Sequence, residues 1–386
     1  MPGLARILRG ACLLVAALLA AAPARAIEQS TPARAAIVLD MTSGAVLLEK
    51  NADTPLPPAS MSKLMTLDVV FEALESGRLS LDDEFRVSRK ASDMGGSKMF
   101  IREGELVSVE NLIRGVVVQS GNDAAVALAE ALSGTEEAFA RLLNKRAEAL
   151  GLDNSHFINA TGWPHPEQEM SARDLATIAE RIITEFPELY DYFDETEFTW
   201  DDITQSNRNP LLGLGIGADG LKTGHTQAAG YGLVASATRG DRRVITVVMG
   251  LESAPQRKQE AERLINWAFR AFETRRLFEA GETLVEAPVW IGAVERVALA
   301  PARDVIMTMP FGLPETPELT VHYTAPVQAP VAQGQELGHL RLTAEGMPET
   351  IVPLVAVEAV DRGALVARVR AAAELVLRRV LPDLLG

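Results

Sequence analysis

The hydrophobic pattern of this chain changes its period several times. Residues 35–39 and 45–49 are apolar, β-rich runs, and the turn sequence Asp40-Met41-Thr42-Ser43-Gly44 between them predicts a hairpin. After Gly220 the strand period returns in three runs with glycine-rich turns. These runs cover residues 221–226, 231–238 and 243–249. One group of strands is early and the other late, which predicts a single antiparallel sheet completed by both ends of the segment.

Helical periodicity fills the chain between the two groups of strands. The first helix begins near Ser60, and a second helical stretch over 108–131 is interrupted at Ser120-Gly121. A helix over 135–150 ends at Gly151, and Ser171-Ala172-Arg173-Asp174 is a capping box that opens another. Residues 255–274 are helical again. The pattern therefore predicts an α+β domain with helices packed around one antiparallel sheet.

The segment 277–360 has a different composition. Nine prolines interrupt short alternating runs, as in Leu319-x-Val321-x-Tyr323, which favours a small β-sandwich. We place the boundary within 274–277. The predicted domains are therefore residues 27–274, a small all-β domain over 275–360, and a final segment over 361–386.

The final segment has the pattern of an amphipathic helix over 363–386. Residues 362–386 contain five arginines and two acids, a local charge of +3 on an acidic chain. This polarity predicts a helix that lies in the interface of an anionic membrane, and Pro382 would end it. Docking on the β domain and formation of a homodimer remain alternatives. The predicted apolar face consists of Leu365, Val366, Val369, Ala372, Ala373, Val376, Leu377 and Val380.

The first 26 residues have the pattern of a secretory signal peptide. Basic residues precede an apolar run over 11–22, and Ala24-Arg25-Ala26 is a small-x-small cleavage site. The apolar run is shorter than the roughly 20 residues that span a bilayer, which favours cleavage over a transmembrane anchor. We therefore predict an exported, periplasmic protein that starts at Ile27.

Charge and cysteine content exclude several classes of function. Cleavage would remove three arginines and no acid, which moves the formal charge from −15 to −18 and argues against nucleic-acid binding. It would also remove Cys12, the single cysteine, so disulfides and thiol chemistry are excluded. The remaining histidines have no zinc-ligand spacing, and we expect no metal and no cofactor. These histidines, which do not include His225, are His156, His165, His322 and His339.

Three short motifs carry the candidate chemistry. Ser60 and Lys63 form Ser-x-x-Lys, whose i, i+3 spacing places both side chains on one helix face. A serine hydroxyl is a weak nucleophile unless a neighbouring base takes its proton, and a lysine does so only when desolvation or nearby cations keep its amine partly neutral. The later motifs are Ser120-Gly121-Asn122 and Lys222-Thr223-Gly224. Each triplet alone is common, but the three in this order are typical of penicillin-binding proteins and class A β-lactamases.

The longer stretches around these motifs resemble the low-molecular-mass penicillin-binding proteins that are serine-type D-alanyl-D-alanine carboxypeptidases. The similarity is close over residues 30–275, and the proline-rich β domain and terminal helix match that family in arrangement. It implies hydrolysis of the terminal D-alanine from peptidoglycan stem peptides and covalent inhibition by β-lactams. The matching stretches are 119–123, 171–174, 207–209 and 219–226.

Each motif residue has an expected role in that reaction. Ser60 attacks the carbonyl between the two D-alanines, and Lys63 accepts its proton. Ser120 bridges Lys63 and Lys222 and passes a proton to the departing amine, with a helix cap as its alternative role. Asn122 binds a substrate amide or Lys63, or serves only as a turn residue.

The third motif is expected to bind the substrate's carboxylate and backbone. Lys222 attracts the carboxylate and keeps Lys63 neutral, helped by the hydroxyls of Thr223 and Thr226. Gly224 admits the substrate alongside the strand, and the N–H groups of Ser60 and His225 form the oxyanion hole. The resemblance adds Arg208 as a second carboxylate ligand; a solvated surface arginine is the equal alternative.

Four other functions compete with this interpretation. A Ser-His-Asp triad would use His225 with Asp123 or Asp219 but leaves both lysines unexplained. A β-lactamase needs a deacylating base, and Pro187-Glu188-Leu189 lies too far beyond Asn122. Transpeptidases usually belong to larger chains. A non-enzymatic sensor that is acylated without turnover is distinguished only by an assay for D-alanine release.

Overall fold

In the computed structural model of the chain, the structure describes residues 29–312, 317–344 and 349–364. The predicted signal peptide and most of the predicted terminal helix lie outside these residues. Among the described residues, no helix combines the length and the apolar character needed to cross a bilayer.

A five-stranded antiparallel sheet forms the centre of the first domain, in the order β2-β1-β9-β8-β7. The two N-terminal strands pair with the three late strands through β1 and β9, as the hydrophobic pattern predicts. The strand β7 is an edge strand, so one side of its backbone is free of sheet partners. The bounds are β1 Ala35–Asp40, β2 Ala45–Lys50, β7 Ala218–Thr226, β8 Gly230–Arg239 and β9 Arg242–Leu251.

Among the residues that the structure describes, seven α-helices precede this late group of strands, and α1 is the most deeply buried of the long ones. Ten of its thirteen residues are buried, because other helices cover it on several sides. The predicted break at Ser120-Gly121 separates α3 from α4, and the predicted helix stop at Gly151 and capping box at Ser171 are confirmed; Thr135, predicted as the first residue of its helix, is the N-cap. The bounds are α1 Lys63–Glu75, α2 Arg89–Asp93, α3 Val109–Val117, α4 Asn122–Ser133, α5 Glu136–Leu150, α6 Ala172–Glu185 and α7 Pro187–Tyr190. Two short antiparallel strand pairs complete this part of the domain: β3 Glu84–Arg86 with β4 Leu106–Ser108, which α2 separates along the chain, and the hairpin β5 Glu197–Trp200 with β6 Ile203–Ser206, which follows α7.

The last helix of the domain, α8 (Ala254–Ala271), covers the opposite face of the sheet. It ends three residues earlier than the predicted 274, because Phe272 begins a strand. This strand, β10 (Phe272–Phe278), pairs with β13 (Val305–Pro310), and Arg242 donates a hydrogen bond to the Phe272 carbonyl at 2.7 Å. These long-range bonds outweigh the helical pattern, which is a weak local preference.

The remaining strands form a six-stranded sheet in the order β14-β16-β17-β12-β11-β15. It shares a separate apolar core with the β10–β13 pair, so the predicted all-β region is confirmed. The chain thus has the α+β fold that the sequence predicts. The bounds are β11 Val285–Trp290, β12 Arg296–Pro301, β14 Glu318–Tyr323, β15 Val327–Gln328, β16 Glu336–Thr343 and β17 Thr350–Ala356.

Candidate active site

Ser60 and Lys63 meet where a short 3-10 turn (Ala59–Ser62) leads into α1. The Nζ atom of Lys63 lies 2.9 Å from Ser60 Oγ, 2.7 Å from Asn122 Oδ1 and 2.7 Å from the carbonyl oxygen of Thr161. Lys63 is fully buried while Ser60 is half-buried. Three acceptors therefore fix the amine beside a serine hydroxyl that solvent can reach.

The burial of Lys63 changes its chemistry. Loss of solvent lowers the pKa of its ammonium group to about 7, and the nearby charge of Asp123 opposes this shift. The sequence interpretation named desolvation and the nearby cation Lys222 as causes of this effect, and burial is the largest cause. An amine with this pKa is partly neutral at neutral pH and has the basicity that general-base catalysis needs.

The second motif occupies the junction between α3 and α4. Ser120 is buried with φ +60°, a left-handed conformation that is uncommon for a residue other than glycine and that is often found at functional sites. In the described part of the chain its hydroxyl makes no hydrogen bond to Lys63 or Lys222, so the predicted bridge stays a prediction. Asn122 joins two parts of the site, because its Nδ2 donates to the Gly95 carbonyl at 2.7 Å while its Oδ1 accepts from Lys63.

Asp123 has a role that the sequence interpretation missed. Its carboxylate accepts hydrogen bonds from the backbone N–H groups of Met99, Phe100 and Ile101 at 2.8–3.3 Å, and from that of Ala124. It therefore holds the glycine-rich loop over 95–100 against the start of α4. The only local signal is an acid in the first turn of a helix, which is common.

A second missed element is the loop over 159–163, which supplies the Thr161 carbonyl to Lys63. The side chain of Asn159 accepts from the N–H groups of Thr161, Gly162 and Trp163 at 2.8–3.1 Å. Gly162 has φ +77°, and a Cβ at this position would lie 1.8 Å from the Ala59 carbonyl oxygen. Only glycine lets this loop pack against the turn that carries Ser60.

The third motif lies on β7, with Lys222 buried and Thr226 at the end of the strand. A Cβ on Gly224 would lie 2.8 Å from the Pro58 carbonyl oxygen and 3.0 Å from Met61 Cγ. This glycine therefore lets the turn that carries Ser60 approach the strand. The predicted close approach of substrate at Gly224 stays a prediction.

Lys222 lies near three other cationic side chains. Burial lowers the pKa of Lys222, and the charges of Lys63, Arg257 and Arg208 lower it further. Arg208 is exposed and donates to Gln205 Oε1, while Arg257 on α8 is half-buried with a buried Nε that has no partner among the described residues. Within that part of the chain none of the four cations forms a salt bridge. Sequence reasoning missed Arg257, because nothing distinguishes it from the other basic residues of α8.

The predicted alternative with His225 in a catalytic triad fails on geometry. The imidazole stacks on the Tyr231 ring with centroids 3.8 Å apart. Asp219 is held by Arg243 and by the Tyr190 hydroxyl, both at 2.7 Å, and Asp123 binds backbone N–H groups. Neither acid is free to orient the histidine.

Among the described residues no group of three or more His, Cys, Asp or Glu side chains is arranged to hold a metal ion. Glu188, the weak candidate for a β-lactamase base, is exposed on α7, and within the same residues no hydrogen bond joins it to Ser60 or Lys63.

The sequence of this chain is similar to two protein-family models and to proteins of known activity. A family model described as D-alanyl-D-alanine carboxypeptidase matches residues 21–253, and one described as the C-terminal domain of penicillin-binding protein 5 matches residues 272–362. The D-alanyl-D-alanine carboxypeptidase DacC of Escherichia coli K12 is 40% identical over 348 residues, which cover 88% of this chain and 87% of that protein.

Solved structures agree with the sequence comparison. Penicillin-binding protein 5 from Haemophilus influenzae superposes with a TM-score of 0.82 at 38% identity, covering 87% of this chain and 99% of that one. Penicillin-binding protein D2 from Listeria monocytogenes in its ampicillin-bound form gives a TM-score of 0.58 at 32% identity, covering 63% of this chain and 99% of that one. The chain belongs to the peptidase S11 family of D-alanyl-D-alanine carboxypeptidases.

Proposed function

We propose that this serine-type carboxypeptidase releases the terminal D-alanine of peptidoglycan stem peptides through an acyl-enzyme on Ser60. The observation that carries the proposal is the contact between the Ser60 hydroxyl and a buried lysine amine whose pKa is about 7. The neutral amine takes the hydroxyl proton as Oγ attacks the carbonyl. Release of D-alanine from a pentapeptide, followed by mass spectrometry, tests it; an acylated protein without release would indicate a sensor.

The remaining steps use the other motif residues. The N–H groups of Ser60 and His225 stabilise the negative charge that develops on the carbonyl oxygen. The carbon–nitrogen bond then breaks, and the Ser120 hydroxyl passes the proton from Lys63 to the leaving amine. Water hydrolyses the ester, which restores Ser60 and frees the shortened peptide. Asn122 keeps Lys63 oriented throughout and stays within reach of the substrate amide.

The carboxylate of the terminal D-alanine binds beside Lys222. This lysine, Arg208 and Arg257 have no acidic partner among the described residues, and Thr223 and Thr226 add hydroxyl donors. A bound carboxylate favours the ammonium form of Lys222 and so opposes the effect of its burial. The free C-terminus of the substrate is thereby distinguished from an internal peptide bond.

Lys222→Ala is expected to remove this distinction. We expect kcat/KM for a peptide with a free C-terminus to fall by about 10- to 100-fold, since hydrogen bonds to charged groups contribute about 1.5–3 kcal/mol. Activity on the C-terminal amide of the same peptide should change much less. Lys258→Ala, next to Arg257 on α8, is the matched control. Unchanged preference for the free acid in the Lys222 variant would assign carboxylate binding elsewhere.

β-Lactams are expected to acylate the same serine. The attack of Ser60 on the lactam carbonyl opens the ring, and the amine that leaves stays tethered to the acyl group. The carboxylate of the drug then takes the place of the substrate carboxylate beside Lys222. An ampicillin-bound relative of similar fold supports this proposal.

We further propose that the protein is exported and held at the outer face of the cytoplasmic membrane by the amphipathic segment over 363–386. The predicted signal peptide and the charge of +3 over residues 362–386 support this location. Docking of the helix on the β domain and dimerisation through the same face are the competing roles. Tethering would keep the catalytic cleft within reach of nascent peptidoglycan.

Truncation tests the anchor. Gly363 donates to the Ile291 carbonyl at 2.8 Å, and Arg362 pairs with Gly292, so a stop after Ala364 preserves the β domain. We expect the shortened protein to leave the membrane fraction and to keep full activity on a small soluble peptide. A shortened protein that still sediments with membranes, or that unfolds, would contradict the anchor. A change in mass by light scattering would indicate the dimer instead.

A further inference from the structure

The first turn of α4 contains a buried carboxylate whose charge acts on the Lys63 amine. Asp123 is fully buried, and among the described residues its carboxylate forms no salt bridge. Its hydrogen bonds come from backbone N–H groups instead, three of them in the loop over 95–101 and one at Ala124. A buried charge loses its hydration, so it persists only where donors are fixed around it.

The loop over 95–101 has a backbone shape that binds this carboxylate. The N–H groups of Met99, Phe100 and Ile101 converge on it at 2.8–3.3 Å. Phe100 has φ +71°, a left-handed conformation that is uncommon for a residue other than glycine. A left-handed residue within a turn lets successive N–H groups point to one side, and the concavity that results binds anions. Here the anion is the side chain of Asp123.

The preceding residue of α4 binds the same loop through the loop's carbonyl groups. The backbone N–H of Asn122 donates to the Ser97 carbonyl at 2.8 Å, and its Nδ2 donates to the Gly95 carbonyl at 2.7 Å. The Oδ1 atom of Asn122 accepts from Lys63 at 2.7 Å. Asp123 therefore acts on the lysine in two ways, through its charge and through the loop that holds Asn122.

The other charged groups around Lys63 do not provide an anion for it. Lys222 on β7 is a second cation, and the charges of the two lysines oppose each other. Lys98, in the loop over 95–101, donates to the Ser92 carbonyl. The charges that α5 and α6 direct toward α1 belong to a separate ion cluster, and residues 159–163 carry no charge. In the described part of the chain, Asp123 is thus the anion that favours the ammonium form of Lys63. The members of the separate cluster are Asp68, Glu72, Arg146 and Arg181.

Resting on the proposed carboxypeptidase function, we propose that Asp123 is a positioning residue for acylation, which fixes the loop that orients Asn122 and stabilises the ammonium group that forms on Lys63. The proton of Ser60 Oγ passes to Lys63 Nζ while Oγ bonds to the substrate carbonyl carbon. A positive charge then develops on the amine and a negative charge on the carbonyl oxygen. A fixed anion near the amine lowers the energy of this state, because it needs no reorganisation during the reaction.

Asp123→Asn tests the charge, because the side chain keeps its size and becomes neutral. Acylation by penicillin requires the neutral amine, so its rate rises with pH through the pKa of Lys63, which is about 7 in the wild type. Without the anion the ammonium form is less favoured. We therefore expect the midpoint of the pH profile to fall by about one pH unit and the plateau rate to fall by about tenfold. Asp123→Ser, a smaller neutral side chain, should give the same midpoint, and Asp123→Glu should restore that of the wild type.

Asp174→Asn is the matched control. Asp174 is also a buried aspartate in the first turn of a helix, and it accepts from the Asn154 N–H at 3.1 Å and from the Ser155 hydroxyl at 2.6 Å. Its midpoint should equal that of the wild type. Quench-flow with intact-mass detection separates the rate constant from the amplitude, so partial unfolding lowers the amplitude and leaves the midpoint in place. A wild-type midpoint in the neutral Asp123 variants, or an equal shift in Asp174→Asn, would overturn the proposal.

Hydrogen exchange in the wild-type protein tests the hold on the loop without any variant. The amides of Met99, Phe100 and Ile101 should be protected to about the same degree as those of α4, although Phe100 is 48% exposed. Rapid exchange of these three amides would contradict the positioning role. Neither experiment depends on hydrolysis of a peptide, so a failure here leaves the carboxypeptidase function intact, whereas a wild-type protein that releases no D-alanine would contradict that function.

Discussion

Ser60→Ala is expected to abolish both D-alanine release and covalent labelling by penicillin. The hydroxyl is the proposed nucleophile, and loss of a catalytic serine typically costs at least about 10⁴-fold in kcat. The fold should persist, since Ser60 is half-buried and the Lys63 amine keeps its bonds to Asn122 and Thr161. Intact-mass spectrometry after incubation with penicillin measures the adduct directly.

The same tetrapeptide offers a matched control. Ser62 is two residues away and buried, and its hydroxyl has no hydrogen-bond partner among the described residues. Ser62→Ala should therefore be acylated at the wild-type rate, because removal of an unpaired buried hydroxyl costs little. An adduct that forms on the Ser60 variant at the wild-type rate would identify another nucleophile. Equal loss in both variants would indicate damage to the turn.

Local signals in the sequence predicted most of the first domain correctly. The cap at Ser171 and the stop at Gly151 depend on residues within four positions of the helix end, so they can be read without the fold. The end of α8 was wrong by three residues because it depends on pairing with β13, which lies more than thirty residues further along the chain.

The site was predicted less completely, for the same physical reason. The three motifs identify Ser60, Lys63 and Lys222 because short spacings encode them. The Thr161 carbonyl that binds Lys63 is 98 residues away along the chain. Because any residue can supply a backbone carbonyl, no residue type in the sequence indicates this contact. Asp123 was considered only as a triad member, since its partners are backbone N–H groups, which almost any residue can supply. Burial, which lowers the pKa of Lys63, is likewise a property of the folded chain.

Lys63→Arg is expected to be nearly as damaging as Lys63→Ala, although it keeps the positive charge. Arginine stays protonated at any workable pH and cannot accept the serine proton. General-base catalysis contributes about 10²- to 10⁴-fold, so acylation by penicillin should slow by about that factor. A stopped-flow or quench-flow measurement of the acylation rate gives the comparison.

The pH dependence makes this prediction specific for proton transfer. Below the pKa of about 7 the wild-type amine is protonated and inactive as a base, and above it the neutral amine dominates. The wild-type rate of acylation should therefore rise through pH 7 and level off, whereas the arginine variant should show no such rise. A rise at the same pH in the variant would assign the titration to another group.

Because arginine is larger than lysine, a failure of the arginine variant could reflect poor folding of a fully buried site. Lys63→Met removes this ambiguity, since methionine has a similar length and no charge, fits an apolar environment and cannot act as a base. We expect it to melt at or above the wild-type temperature and to be acylated as slowly as the arginine variant. If instead a well-folded Lys63→Arg protein is acylated at a near-normal rate while Lys63→Met is not, position 63 supplies charge, and the base that takes the Ser60 proton lies elsewhere in the site.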